Sequence, residues 1–138
     1  MSDCIDRIPS NRAEIWEELV ISILAVNQYS LEKTYSLLPL LRVVGIVDPV
    51  NLTKWGVEDV VAQLKTAGCD RGPFMTRLFA KRLVSLGIAL RSRGVEMSAE
   101  IILSNHPDAI RNLLLPVNGI GPKVLQNFFL LRGIKEQA

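Results

Sequence analysis

Length, composition and charge already restrict what this chain can be. Its 138 residues suffice for one domain, and 49% of them are hydrophobic with few aromatics, so the core should consist mainly of Leu, Ile and Val. The longest apolar run, Leu19 to Val26, is far shorter than the ~18 residues of a membrane-spanning helix, which argues against a membrane partner.

The N-terminal residues and the cysteines indicate the compartment and the need for cofactors. The first six residues are polar and acidic, so no signal peptide is expected. Cys4 and Cys69 show neither metal-ligand spacing nor a disulfide framework. We therefore expect a cytoplasmic, reducing location, nucleoid-associated if the protein binds DNA, and no cofactor.

Charge is distributed unevenly along the chain. Residues 1–70 carry six Lys/Arg and ten Asp/Glu, whereas residues 71–138 carry ten Lys/Arg and four Asp/Glu. A basic half within a nearly neutral protein favours a polyanionic partner.

The first third of the chain predicts two helices behind a loose N-terminal arm at residues 1–10. Asn11 can cap the first helix. The second begins at Ser30 and ends near Val44. Pro39 should kink or shorten it, because proline lacks an N–H and clashes with the preceding turn.

The middle of the chain predicts a loop and two further helices. The loop covers residues 45–53, and a helix follows over residues 57–67. The longest helix runs from about residue 70 to residue 91, with apolar and basic side chains on opposite faces. The basic residues between positions 70 and 96, where no acid intervenes, are Arg71, Arg77, Lys81, Arg82, Arg91 and Arg93. They form either an ordinary solvated face or a face that contacts nucleic acid.

The last part of the chain predicts a short helical turn at residues 98–103 and a helical hairpin at residues 107–132. No segment shows the alternation of a strand. The predicted fold is an all-α, orthogonal multi-helix bundle that forms a single domain over residues 11–138.

The hairpin contains the most specific pattern in the sequence. Glycine accepts positive φ, so two glycines around one apolar residue allow a very tight turn. Pro122 then suits the first turn of a helix. Free backbone N–H groups at the positive end of that helix bind anions, above all phosphate. The predicted phosphate ligands are Asn118, Gly119, Ile120, Gly121 and Lys123.

Three segments together resemble the helix-hairpin-helix DNA glycosylase superfamily, the endonuclease III-like enzymes of base-excision repair. They are Leu24-Ala25-Val26-Asn27-Gln28-Tyr29-Ser30, then Ala67-Gly68 followed by Arg71 and the basic helix, and finally Gly119-Ile120-Gly121-Pro122-Lys123. The resemblance covers residues 12–133 and implies the six-helix barrel lobe of that superfamily, with double-stranded DNA as partner. It implies Asn27 or Gln28 as a wedge into the base stack. Arg71, Arg77 and Lys81 would supply further DNA contacts.

The resemblance also places Lys123 at the position of the nucleophile of the bifunctional members. A neutral lysine amine would attack the anomeric carbon of a flipped, damaged nucleotide and leave an imine. The superfamily's catalytic aspartate follows that lysine, and no Asp follows Lys123 in this sequence. Another carboxylate would then have to substitute, a partner subunit or a second copy of the chain would supply the carboxylate and the second lobe, or the chain is a natural truncation.

Three functions remain open at this point. The chain is a minimal DNA glycosylase or abasic-site lyase, a non-catalytic helix-hairpin-helix module that grips the DNA backbone, or a protein-interaction domain that has lost DNA binding. Function depends on the site rather than on the fold, so fold analogy cannot choose among them.

Overall fold

The computed structural model describes residues 10–25 and 31–134 and confirms the all-α class. These ranges contain helices and connecting turns, and no strand. The helices are α1 (Ser10–Leu24), α2 (Leu31–Tyr35), α3 (Leu38–Val44), α4 (Pro49–Lys54), α5 (Val57–Thr66), α6 (Pro73–Arg93), α7 (Val95–Leu103), α8 (Pro107–Leu114) and α9 (Pro122–Arg132). None of the helices in the described ranges is both long and apolar enough to cross a bilayer.

Helix α1 lies at the centre of the bundle. Its apolar side chains are buried on every side, including Ile21, which is fully enclosed. It packs against α2, α6, α7 and α9. A helix that is hydrophobic all round belongs in a core, and here one continuous cluster of buried side chains surrounds it. The helix already includes Ser10, so Asn11 lies inside α1 and does not precede it.

The segment after α1 departs from the predicted single helix. Two short helices, α2 and α3, are separated by Ser36 and Leu37, and Pro39 lies in the first turn of α3. Pro39 was expected to kink or shorten one helix. It divides the segment instead, so that α2 ends before it and α3 begins around it. Arg42 of α3 is tied to α1 by two hydrogen bonds from Nε and Nη2 to the Glu17 carboxylate, at 2.7 and 3.0 Å.

The predicted loop at residues 45–53 is wrong in its second half, where α4 forms. Asp48 caps this helix by accepting a hydrogen bond from the Val50 N–H at 2.9 Å, and Pro49 occupies its first turn. An Asp-Pro pair can begin a helix as well as form a turn, and the prediction of a loop took only the second possibility into account. The predicted turn at residues 98–103 is likewise a longer helix, α7, which begins at Val95.

The long helix α6 provides the main surface on which α4 and α5 pack. Gly87 permits the contact with α4, because a Cβ at this position would lie 2.0 Å from the backbone oxygen of Leu52. The apolar repeat of α6 predicts an inner face at positions 75, 79, 83, 86 and 90; the last four are buried, and Met75 is partly buried. Periodicity therefore identified the correct face of this helix.

The last two helices begin where the sequence predicts and pack on different neighbours. Helix α8 packs against α7, and α9 packs against α1. Arg132, at the end of α9, donates from Nη1 to Glu18 Oε1 of α1 at 3.0 Å. Arg111 of α8 lies over the Phe129 ring of α9, with 5.5 Å between its Cζ and the ring centroid. These contacts hold α8, α9 and the turn between them on the body of the bundle.

Candidate nucleic-acid interface

The turn between α8 and α9, residues 115–121, is built on two buried anchors. Val117 and Ile120 are 8% and 4% exposed, and the Ile120 N–H donates to the Val117 carbonyl at 3.1 Å. Gly119 is the third residue of this hydrogen-bonded turn and has φ of +98°, a conformation that favours glycine. Ile120 thus anchors the turn through its side chain and its N–H, while Asn118 is exposed at the tip.

The N-terminus of α9 leaves backbone donors without an acceptor in the described part of the chain. The first hydrogen bond of α9 runs from the Leu125 N–H to the Gly121 carbonyl at 3.1 Å, and no side chain caps the helix. The N–H groups of Gly121, Lys123 and Val124 meet no acceptor among the described residues. Together with the positive end of the helix, they form a surface suited to an anion.

Gly121 is not required to be glycine by anything inside the described chain. Its φ of −108° and ψ of −173° are ordinary extended values that any residue adopts. A Cβ at this position would meet no atom within 4 Å. The space that a Cβ would occupy is open among the described residues, so the small size of Gly121 matters only to a molecule that approaches from outside.

Gly119 differs from Gly121, because it is pressed against α6. A Cβ at this position would lie 2.5 Å from Arg82 Cγ and 2.9 Å from Arg82 Cβ. The stem of Arg82 therefore covers the backbone of the turn. Among the described residues its guanidinium forms no ion pair and no hydrogen bond. This places a positive charge beside the turn.

Lys123 lies in the first turn of α9 and is exposed. No carboxylate of the described residues forms an ion pair with it. Glu18, the carboxylate held by α9, is bound by Arg132 at the opposite end of the helix, about 14 Å away along the axis at 1.5 Å per residue. The site therefore offers an accessible amine, but within the described chain it supplies neither the desolvation nor the neighbouring carboxylate that imine chemistry requires.

The three basic residues predicted on the long helix have different surroundings. Arg77 forms an ion pair with Glu58 of α5, which lowers the pKa of the Glu58 carboxyl and raises the pKa of the Arg77 guanidinium. Lys81 is exposed, one turn further along α6. Arg71 precedes α6, and its N–H donates to the Thr76 hydroxyl at 2.8 Å. Of these three, Lys81 alone combines exposure with a charge that no described carboxylate engages.

Two of the predicted site residues cannot be placed. Asn27 and Gln28, expected as the wedge, lie outside the described residues.

The described part of the chain holds no group of three or more His, Cys, Asp or Glu side chains positioned to bind a metal ion.

Arg82 lies at the candidate site but was not among the residues that the sequence predicted to contact DNA. It belongs to the basic run of α6, but its position in the helical repeat gives no sign that it meets the turn 37 residues later. A glycine with positive φ in the turn hints at close packing. The side chain packed there becomes evident only in three dimensions.

Comparison of the chain with protein-family models, with curated proteins and with solved structures gave no match.

Proposed function

We propose that this chain is a DNA-binding domain of the base-excision-repair type that holds the sugar-phosphate backbone of double-stranded DNA at the α8–α9 turn. The observation that carries the proposal is the open amide of Gly121 at the N-terminus of α9. Its backbone is extended and its Cβ position is empty, so the missing side chain serves an approaching ligand. A phosphate oxygen fits the adjacent N–H groups in charge and hydrogen bonding.

The charges around the turn favour the same partner. Arg82 packs against Gly119 and Lys123 follows Gly121 by two residues, and neither cation is neutralised by a described carboxylate. Contacts of this kind recognise the backbone and carry little sequence information. Binding to duplex DNA should therefore be largely indifferent to sequence and should weaken steeply as the salt concentration rises.

The test compares wild type with Gly121→Ala in binding to a fluorescent duplex over a salt series. Alanine is compatible with the backbone at position 121 and would contact nothing in the described part of the chain, so the fold should be retained. The added methyl should nevertheless block the phosphate and weaken binding by about tenfold, the loss of about one charge-assisted hydrogen bond. Equal binding by the two proteins would refute the proposed site.

A second candidate function is abasic-site lyase chemistry at Lys123. It is favoured by the position of this amine in the first turn of α9, beside the proposed phosphate site, and it requires bound DNA to supply the desolvation that the described chain does not. The amine would add to the aldehyde of an abasic sugar and release water, which leaves an imine that borohydride reduces to a stable amine link.

Borohydride trapping on a duplex with one abasic site tests this candidate. A covalent adduct that is lost in Lys123→Ala and retained in Lys65→Ala, an exposed lysine on α5, would establish the lyase. No adduct, with wild type still bound to the duplex at low salt, would leave a domain that holds DNA without chemistry. Failure to bind any duplex, together with a stable dimer in solution, would instead favour the protein-interaction alternative.

A further inference from the structure

One phenylalanine departs from the burial pattern of the other three. Phe79, Phe128 and Phe129 are at most 1% exposed, whereas Phe74 is 76% exposed. Phe74 lies in the first turn of α6, directly after Pro73. An exposed aromatic ring offers a flat apolar face on which another planar group can stack.

The backbone that carries Phe74 is fixed in position. The Thr76 side chain is buried, and its hydroxyl accepts a hydrogen bond from the Arg71 N–H at 2.8 Å. The Asp70 carboxylate accepts a hydrogen bond from the Gly72 N–H at 3.0 Å. The ring is therefore presented by a rigid helix start, which keeps the entropic loss on stacking small.

The face of α6 that carries the ring also carries two cations, Arg77 and Lys81, of which Lys81 has no carboxylate partner among the described residues. Arg77 is three residues further along α6 and Lys81 is seven, so both share the face of Phe74. The two nearby acids are engaged, since Glu58 pairs with Arg77 and Asp70 bonds to Gly72. An aromatic ring next to lysine and arginine suits a nucleic acid, whose bases stack while its phosphates meet the cations.

Phe74 and the α8–α9 turn are linked through α6, and the rise of that helix gives their offset along its axis. Arg82 touches Gly119, and Phe74 precedes Arg82 by eight residues. Eight residues correspond to about 12 Å along a helix axis at 1.5 Å each. Stacked nucleotides rise about 3.4 Å each along one strand, so three to four nucleotides cover this distance.

We propose that Phe74 is a stacking platform for an unpaired nucleobase, so that the preferred ligand is DNA with a short single-stranded segment beside the duplex held at the turn. The inference rests on the proposed function, because the duplex part is bound through Gly121 and Arg82. The preferred substrate would be DNA with an unpaired segment, because fully paired DNA has no free base face that could stack on Phe74.

The experiment measures anisotropy of a labelled duplex that is either fully paired or carries a central four-nucleotide gap. Wild type should bind the gapped DNA more tightly. Phe74→Ala should weaken binding of gapped DNA by about 5- to 150-fold, the range of one stacked base, and leave paired DNA unchanged. Phe74→Trp should retain the preference, and Phe74→Leu should lose most of it.

The matched control is Val43→Ala on α3, another strongly exposed apolar side chain, at 82%. It should change neither affinity. A gap preference that survives in Phe74→Ala, or wild type without any preference, would overturn this inference while leaving the proposed duplex binding intact. Loss of all DNA binding in wild type would instead overturn the proposed function. A change of oligomeric state in Phe74→Ala at unchanged DNA affinity would assign the ring to a protein contact.

Discussion

The backbone of Gly119 and the side chain of Arg82 are in such close contact that no other residue type fits at position 119 without movement. A Cβ there would come within 2.5 Å of Arg82 Cγ. The contact joins the turn to α6, the helix that also carries Arg77 and Lys81. It also makes the two glycines of the turn physically different, which can be tested by stability alone.

Gly119→Ala should destabilise the protein, whereas Gly121→Ala should not. Alanine at position 119 meets the positive φ of +98° and the stem of Arg82, which together should cost about 1–3 kcal/mol. At position 121 alanine meets neither problem and should be neutral or stabilise by up to about 1 kcal/mol, because it restricts the unfolded chain. Urea denaturation measures both. Equal effects of the two substitutions would contradict the described turn.

Gly87→Ala should destabilise the protein, although alanine is the better helix former by about 1 kcal/mol. The new Cβ would lie 2.0 Å from the Leu52 carbonyl oxygen, so α4 and α6 would have to separate. We expect a net loss of about 2 kcal/mol or more, since overpacking against backbone cannot be relieved by a rotamer change. Thermal unfolding followed by circular dichroism measures it, with Gly121→Ala as the control. A raised Tm in Gly87→Ala would contradict the close α4–α6 contact.

Local signals predicted the helices whose termini carry strong markers. Pro73 and Pro122 mark the starts of α6 and α9, and the apolar repeat of α6 identified its buried face. Helix α4 was missed because its cap, Asp48, also occurs in turns. Which of the two structures forms depends on packing against α6, and that information lies far away in the chain.

The candidate site was predictable only as far as local conformation determines it. The sequence identified the glycine turn and Lys123, since glycine and proline constrain the backbone locally. It did not identify Arg82, which reaches the turn through tertiary packing, nor the ion pair that engages Arg77. Burial of Ile120 was equally out of reach, because an apolar residue between glycines can point inward or outward.

Breaking the ion pair between Glu18 and Arg132 should destabilise the protein strongly. Their side chains are only 13% and 12% exposed, and Arg132 Nε is buried without a hydrogen-bond partner in the described chain. Glu18→Leu should cost about 3 kcal/mol, because it leaves a buried guanidinium unpaired. The double variant Glu18→Leu/Arg132→Leu should recover much of this loss. As a control, Glu96→Ala, which removes a carboxylate that is 79% exposed, should cost about 1 kcal/mol or less.

The pH dependence of stability should show the effect of burial on Glu18. Burial raises the pKa of the Glu18 carboxyl above its ordinary 4.5, and the hydrogen bond from Arg132 only partly opposes this. The folded state then holds the proton more tightly than the unfolded chain. The tighter proton binding by Glu18 contributes to the free energy of unfolding. This contribution is complete below pH 4.5 and declines as the pH rises through the folded-state pKa. The stability difference between wild type and Glu18→Gln should therefore fall with rising pH. A difference that grows with pH would show that the pairing with Arg132 outweighs burial.

The ion pair between Arg77 and Glu58 makes a distinct prediction about DNA binding. Glu58 engages the Arg77 guanidinium, whereas the Arg82 guanidinium has no ion-pair partner among the described residues. Arg77→Ala should therefore weaken duplex binding less than Arg82→Ala. Glu58→Gln should release Arg77, strengthen binding at low salt and steepen the salt dependence by about one phosphate contact, a change of roughly 0.9 in slope. Asp108→Asn is the control, since Asp108 pairs with Arg111 on α8 and its loss leaves α6 unchanged. A Glu58→Gln protein with the wild-type slope would show that Arg77 does not reach the DNA backbone even when it is free.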